Sequence, residues 1–154
     1  MTRSPSSSGK LTGAARLRRV VNLVNLSTPL GRAVARLGGA VPRPGPDGLV
    51  VAAGYRLPVP PAPAFTVGNV VVVRDPTLLQ RRPRLLAHEA RHATQYAWCA
   101  GPVMPLLYVL ASAWSWLRCG DAYSYNVFER RAGLADGGYP AFGPRRRARS
   151  RTGR

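Results

Sequence analysis

Cysteine is scarce in this sequence: Cys99 and Cys119 are the only two among 154 residues. Two cysteines make no disulfide framework. They flank a predicted helical hairpin, and at 1.5 Å rise per residue that separates them by about 20 Å. Free thiols and a reducing, cytoplasmic compartment are therefore expected. No apolar run of secretory length follows the start, MTRSPSSSGKLTGAARLRR, so no secretory signal is expected. That start matches a transit peptide in composition alone. No glycine-rich phosphate loop follows a strand and there is no Walker motif, which excludes the common nucleotide-binding units. No zinc-finger or aromatic–basic pattern occurs, so nucleic acid is not expected as the partner.

Acidic residues are missing from both ends. Residues 1 to 46 carry eight basic residues and no acid, and residues 144 to 154 carry six arginines and no acid. Residues 47 to 143 carry nine basic and six acidic residues, so most of the net charge of +17 belongs to the ends. Such ends favour anionic partners, including an acidic membrane surface. The plainer reading is genome composition, since arginine outnumbers lysine 22 to 1 and unstructured basic tails bind weakly. The length fits one domain. It divides into a basic N-terminal arm with amphipathic helices (1–46), a central domain (47–143) and a disordered Arg-rich tail (144–154).

Hydrophobic spacing supplies the elements. Thr12 can cap a helix over about 13–25, in which Leu17, Val20, Val21 and Val24 form one apolar stripe beside Arg16, Arg18 and Arg19. A basic amphipathic helix of this kind either packs its stripe on the core or lies on a membrane; core packing is the commoner use. Ser27-Thr28-Pro29 reads as a cap with Pro at the first helical position, opening a helix to about 37. Residues 41 to 63 are proline-rich, with one strand expected within 49–57. In FTVGNVVVVRD (65–75), Gly68-Asn69 is a tight hairpin turn and Val70 to Val73 a strand buried on both faces. A helix over about 83–99 ends at Gly101-Pro102, an apolar helix follows over 104–117, and a last helix covers about 123–134. The uncharged run from Ala93 to Leu117 is 25 residues long, which invites a membrane reading. Gly101-Pro102 and Pro105 interrupt it, and a buried hairpin is expected. The apolar 101–117 hairpin and the basic N-terminal helix remain the two candidate membrane contacts. The fold class is α+β: mostly helical, with a short sheet beside the 83–99 helix.

Histidine and glutamate are as rare as cysteine, with two of each, yet both histidines and one glutamate fall in His88-Glu89-Ala90-Arg91-His92. A shuffled chain of this composition places its histidines four apart in roughly 1% of cases, and adds the glutamate in roughly 0.02%. Positions i and i+4 share a helix face, so two imidazoles can reach one zinc ion. Glu89 points beside the ion, where it can hold and deprotonate a water. Leu85 and Leu86 would anchor the helix in the core. A catalytic zinc usually has a third protein ligand. The one remaining glutamate is Glu129, on the last helix; it is either that ligand or the N3 partner of an Asn126 cap, and both can hold at once. Asp121 and Asp136 look like turn residues. Gln95 shares the histidine face and contacts either the site or the next helix, and Asn126 is a further candidate beside the ligands. Tyr108, Tyr123 and Tyr125 could supply an oxyanion-stabilising phenol.

His88-Glu89-x-x-His92 with the downstream Glu129 resembles the gluzincin class of zinc metallopeptidases. More narrowly it resembles the compact bacterial zincin-like domains often encoded with contractile injection systems. Those pair a T-x-G strand segment with a His-Glu-x-x-His-x-x-Gln helix and a later Asn-x-Phe-Glu. The matching pieces here are Thr66-Val67-Gly68-Asn69, His88 through Gln95, and Asn126-Val127-Phe128-Glu129. They span about residues 65 to 135, roughly half the chain. The resemblance implies that His88, His92 and Glu129 are zinc ligands, that Glu89 is the catalytic base, and that a peptide or protein is the substrate. A non-catalytic zincin-like module docking to a membrane or anionic partner is the alternative. The chain departs from the larger gluzincins in lacking a long C-terminal domain of the thermolysin kind. It also offers no evident acid to orient either histidine, a task a backbone carbonyl can perform. In such enzymes the sheet's edge strand near the metal helix holds extended substrate, a role expected here of Val70 to Val73.

Overall fold

The computed structural model describes residues 11 to 144; the readings made for residues 1 to 10 and 145 to 154 lie outside them. Two helices lead, α1 (Gly13–Val24) and α2 (Ser27–Leu37). The strands β1 (Val41–Pro44), β2 (Val50–Ala53), β3 (Ala64–Val67) and β4 (Val70–Val73) follow, with a 3₁₀ turn at Pro46–Gly48. Then come α3 (Leu78–Arg81), α4 (Pro83–Trp98), α5 (Val103–Cys119), α6 (Val127–Ala132) and α7 (Leu134–Gly137). The fold is α+β, mostly helical, with a small mixed sheet packed beside α4.

The sheet runs β1-β2-β4-β3, with β2 and β4 parallel and the two outer pairs antiparallel. β4 sits inside the sheet because all four of its valines are apolar and β-branched, and all four are buried. Val70 and Val72 pack with Ala35, Ala52 and Tyr55 towards α2. Val71 packs with Leu49 and Ala93, and Val73 with Ala64 and Leu85, towards α4. This corrects the substrate-strand expectation: Val70 to Val73 is an interior strand paired on both sides, and the edge strand against α4 is β3. The proline-rich stretch holds a second strand, β1. Pro42 and Pro44 lack an N–H, and a sheet edge tolerates that. Gly68 turns β3 into β4 at φ +60°, where a Cβ would lie 2.5 Å from the backbone of Ser27 and Thr28. Only glycine fits there.

Residues 11 to 46 pack on the rest of the fold: β1 completes the sheet and α2 covers one face of it. Thr12 caps α1 as expected, accepting from the Ala15 amide at 3.2 Å. The stripe does not face the core, however. Leu17, Val20 and Val24 are exposed, and the buried positions of α1 are Ala15 and Asn22. Asn22 Nδ2 donates to Asn69 Oδ1 at 3.0 Å and to the Ala93 carbonyl at 2.8 Å. These two bonds hold Asn22 inward, and the stripe, which lies on another face of α1, turns outward. The helix start at Ser27–Thr28 also differs: Leu26 is the N-cap, in the left-handed region, and Thr28 Oγ1 accepts from the Asn69 amide.

α4 follows its sequence signals, with Pro83 in the first turn and Leu85 buried between Ala64, Val73 and Leu78. The buried hairpin is not observed. α5 buries only Met104 and Ser115, while Val103, Leu106, Val109, Leu110, Trp114, Trp116 and Leu117 are exposed. The last predicted helix is shorter than expected and divided. Asn126 caps α6, and Gly133 at φ 89°, ψ 97° separates it from α7. Cys99 and Cys119 are free thiols.

Candidate metal centre

α4 presents His88 and His92 one turn apart, and α6 returns Glu129 to the same point. All three side chains are buried, and their ligand atoms lie within 4.8 Å of one another. His88 Nε2 is 3.0 Å from His92 Nε2, His88 Nε2 is 3.3 Å from Glu129 Oε2, and His92 Nε2 is 3.5 Å from Glu129 Oε1. Ligand bonds of 2.0–2.1 Å at tetrahedral angles separate donor atoms by about 3.3–3.4 Å. The three residues therefore have the spacing of one shared cation.

The ring tautomers point the same way. His88 Nδ1 donates to the carbonyls of Ala132 at 3.2 Å and Gly133 at 3.0 Å. His92 Nδ1 donates to Gln95 Oε1 at 2.8 Å. Gln95 is oriented in turn, because its Nε2 donates to the Phe128 carbonyl at 2.9 Å. With both Nδ1 atoms bearing hydrogen, a neutral ring turns its Nε2 lone pair to the centre. Two lone pairs and a carboxylate then face one another, and the buried Glu129 Oε2 has no hydrogen-bond donor. Such a cluster needs a positive charge at its middle, a proton or a metal ion. Burial pulls the His92 pKa down, but the Glu129 and Glu89 carboxylates outweigh it and raise it. Burial likewise pushes Glu129 up, but with a proton at the centre its bonds to His88, His92 and Tyr108 outweigh that and hold it at about 2. These residues could hold a metal ion.

Gln95 thus does both things considered for it, touching the site and the next helix. Asn126 is the cap of α6, accepting from the Phe128 amide at 2.9 Å and donating to Ser112 Oγ at 2.9 Å. The reciprocal half of a capping box is not made, because the Glu129 carboxylate turns to the histidines and to Tyr108. Asp121 accepts from the amides of Tyr123 and Ser124 in a turn, and Asp136 pairs with Arg91 at 2.8 Å; neither joins the cluster. Gln95→Leu should keep the fold but leave the His92 ring free to rotate. Metal affinity should fall about 10–100-fold, read by competition with a chromogenic chelator.

Glu89 lies beside the ligands and is buried. Thr66 on β3 donates to Glu89 Oε2 at 2.7 Å. Burial pushes the Glu89 carboxyl up, opposed by the charge on His92 and by the Thr66 bond. In the sequence Thr66 stands out only as part of the Thr66–Asn69 segment; the one signal for its bond to Glu89 is a hydroxyl on a strand facing the motif helix. Tyr139 was missed altogether. Its ring lies 5.9 Å from that of His88 and stacks on Tyr123 at 4.1 Å. Gly137 lets the two approach, since a Cβ there would sit 2.6 Å from His88 Cε1. Of the three tyrosines proposed, Tyr108 donates to Glu129 and Tyr123 lines the cavity, but Tyr125 does not reach it and stacks under Arg118 and Arg130.

A cavity of about 450 Å³ opens over the cluster. Thr66 and Val67 of β3 form one wall, Tyr108 and Val109 of α5 another, and the 59–62 loop part of the rim. No protein-family model, curated protein or solved structure matches the chain.

Proposed function

We propose that the protein is a zinc-dependent peptidase of the zincin type. His88, His92 and Glu129 hold the ion and Glu89 is the general base. The observation that carries this reading is the pair of Nε2 lone pairs facing a donorless carboxylate oxygen at metal-ligand spacing, with a buried glutamate next to them. Two imidazoles and one carboxylate are a ligand set that suits zinc and leaves a tetrahedral position for water or substrate.

A zinc ion held there supplies Lewis acidity that polarises a carbonyl and makes water easier to deprotonate. The protein's own residues do the rest. The β3 edge is paired with no other strand among the described residues, so an extended peptide can add to it and enter the cavity beside Thr66. Glu89 takes a proton from the attacking water as the new C–O bond forms. It then delivers that proton to the leaving amine as the C–N bond breaks. Thr66 fixes one Glu89 oxygen and leaves the other for the proton. Gln95 and the carbonyls of residues 132 and 133 keep the rings aimed.

Elemental analysis of purified protein beside His92→Ala and Glu129→Ala tests the centre, followed by a peptide-library digest of zinc-loaded protein. The expected result is about one zinc per chain, lost in both variants, and cleavage that tracks the metal. Zinc in the protein and in both variants would place the ion elsewhere. Zinc bound as expected with no cleavage of any library would favour a non-catalytic metal-binding module.

A further inference from the structure

All three tryptophans of the chain are exposed: Trp98 at 85%, Trp114 at 57% and Trp116 at 54%. They are not scattered. Trp98 ends α4 just before the turn into α5, and Trp114 and Trp116 lie near the other end of α5. Between them run Val103, Leu106, Leu107, Val109 and Leu110, all exposed. α5 carries apolar residues on most of its circumference, whereas a surface helix of a globular protein has a polar outer face.

Exposed apolar side chains are not confined to α5. Asn25, at the end of α1, touches the turn at Gly101 and donates to the Tyr96 carbonyl. Val24 and Leu26, on either side of it, are exposed. Contiguous exposed apolar area of this kind marks an interaction site.

The charge says what covers it. Residues 90 to 120 contain no acid, residues 1 to 46 contain none, and the chain carries +17. Arg16, Arg19 and Arg32 are exposed on α1 and α2, and Arg118 at the end of α5 lies over the Trp114 ring at 5.9 Å. An apolar helix with Trp98 just before it, Trp114 and Trp116 near its C-terminal end and Arg118 as its one charged residue suits a bilayer interface. Acyl chains take the leucines, the headgroup region takes the tryptophan rings, and lipid phosphates take the guanidinium groups. No single helix among the described residues is long and apolar enough to cross a membrane.

We propose that α5 docks the protein on the surface of an anionic phospholipid bilayer, lying in the interface. One consequence concerns the metal centre. Val109 of α5 and Val59 of the opposite loop both line the cavity and are both exposed. Docked, the cavity mouth faces the interface. If the peptidase reading holds, its substrates are polypeptide segments at the membrane surface; the docking itself does not depend on that reading.

The test is flotation of the full chain with vesicles of phosphatidylglycerol and phosphatidylcholine, and with phosphatidylcholine alone, at low salt and at about 0.5 M salt. Tryptophan emission is read with brominated acyl chains in the bilayer. We expect flotation with the anionic vesicles, a blue shift, quenching by the bromines, and a bound fraction that survives the higher salt. Leu106→Glu with Leu110→Glu should lower partitioning about tenfold or more, with an unchanged melting temperature. Leu106→Ala with Leu110→Ala, which adds no charge, should show a smaller loss in the same direction. Binding without quenching, abolished by salt and indifferent to these variants, would mean adsorption through the arginine-rich ends and would overturn the proposal. So would no flotation at all, or an oligomer that the same variants dissociate, because α5 would then cover protein. Zinc content and peptide cleavage off the vesicle report on the metal centre independently of every one of these outcomes.

Discussion

Glu89→Gln should lower kcat/KM for any peptide the zinc-loaded protein cleaves by about 10²–10⁴-fold, with zinc content and melting temperature unchanged. The substitution keeps size and shape but removes the ability to accept a proton. Thr66 can still donate to the amide oxygen of the new side chain, so the β3–α4 contact it makes through Glu89 Oε2 at 2.7 Å survives. Glu89 is not among the clustered ligands, so the ion should stay. Its environment suits a base: burial raises its proton affinity, opposed in part by the charge on His92 and by the Thr66 bond. A general base works best with a pKa near the working pH. Full activity in Glu89→Gln, with metal retained, would remove Glu89 from the chemistry and leave it a buried acid paired to a threonine. Loss of metal along with activity would mean that it belongs to the ligand set.

How much of this could be read from the sequence depends on where the information sits. The motif helix was legible because its constraint is local: i, i+4 spacing, Pro83 at the start and Gly101-Pro102 past the end all lie in one stretch. Glu129 was legible for an accidental reason, since only one glutamate remained to consider. The hairpin at Gly68-Asn69 was legible because a positive φ demands glycine. What failed was long-range. The stripe Leu17-Val20-Val24 obeys the helical rule perfectly well, but the rule gives a face and not what the face meets. Asn22, whose Nδ2 donates to Asn69 and to the Ala93 carbonyl, faces inward and sets the rotation. β4 was rightly read as buried on both faces, yet its place between β2 and β3 depends on a parallel pairing that no local pattern encodes. The groups that orient His88 are backbone carbonyls at 132 and 133, and carbonyls leave no mark in a sequence.

Metal removal should separate two effects that act on one carboxylate. Zinc that binds the folded chain and not the unfolded one stabilises it by RT ln(1 + [Zn]/Kd), about 4 kcal/mol at a thousandfold excess over Kd. For a domain of this size that raises the melting temperature by about 8–16 °C, and a chelator should reverse it. Glu129→Gln should abolish the increment, because an amide is a poor ligand for zinc. The metal-free protein carries a smaller effect of the same sign. There the bonds from the histidines and Tyr108 hold the Glu129 carboxyl at about 2, below its ordinary value of 4.5, so its charge stabilises the fold at neutral pH and that contribution is lost as the pH falls towards 2. Glu129→Gln should therefore melt below the metal-free parent near neutral pH, and further below the zinc-loaded parent. A purely structural glutamate, held by Tyr108 and the histidines as ordinary hydrogen-bond partners, predicts otherwise. Zinc would then add nothing to the parent, and Glu129→Gln would lower the melting temperature equally with and without a chelator.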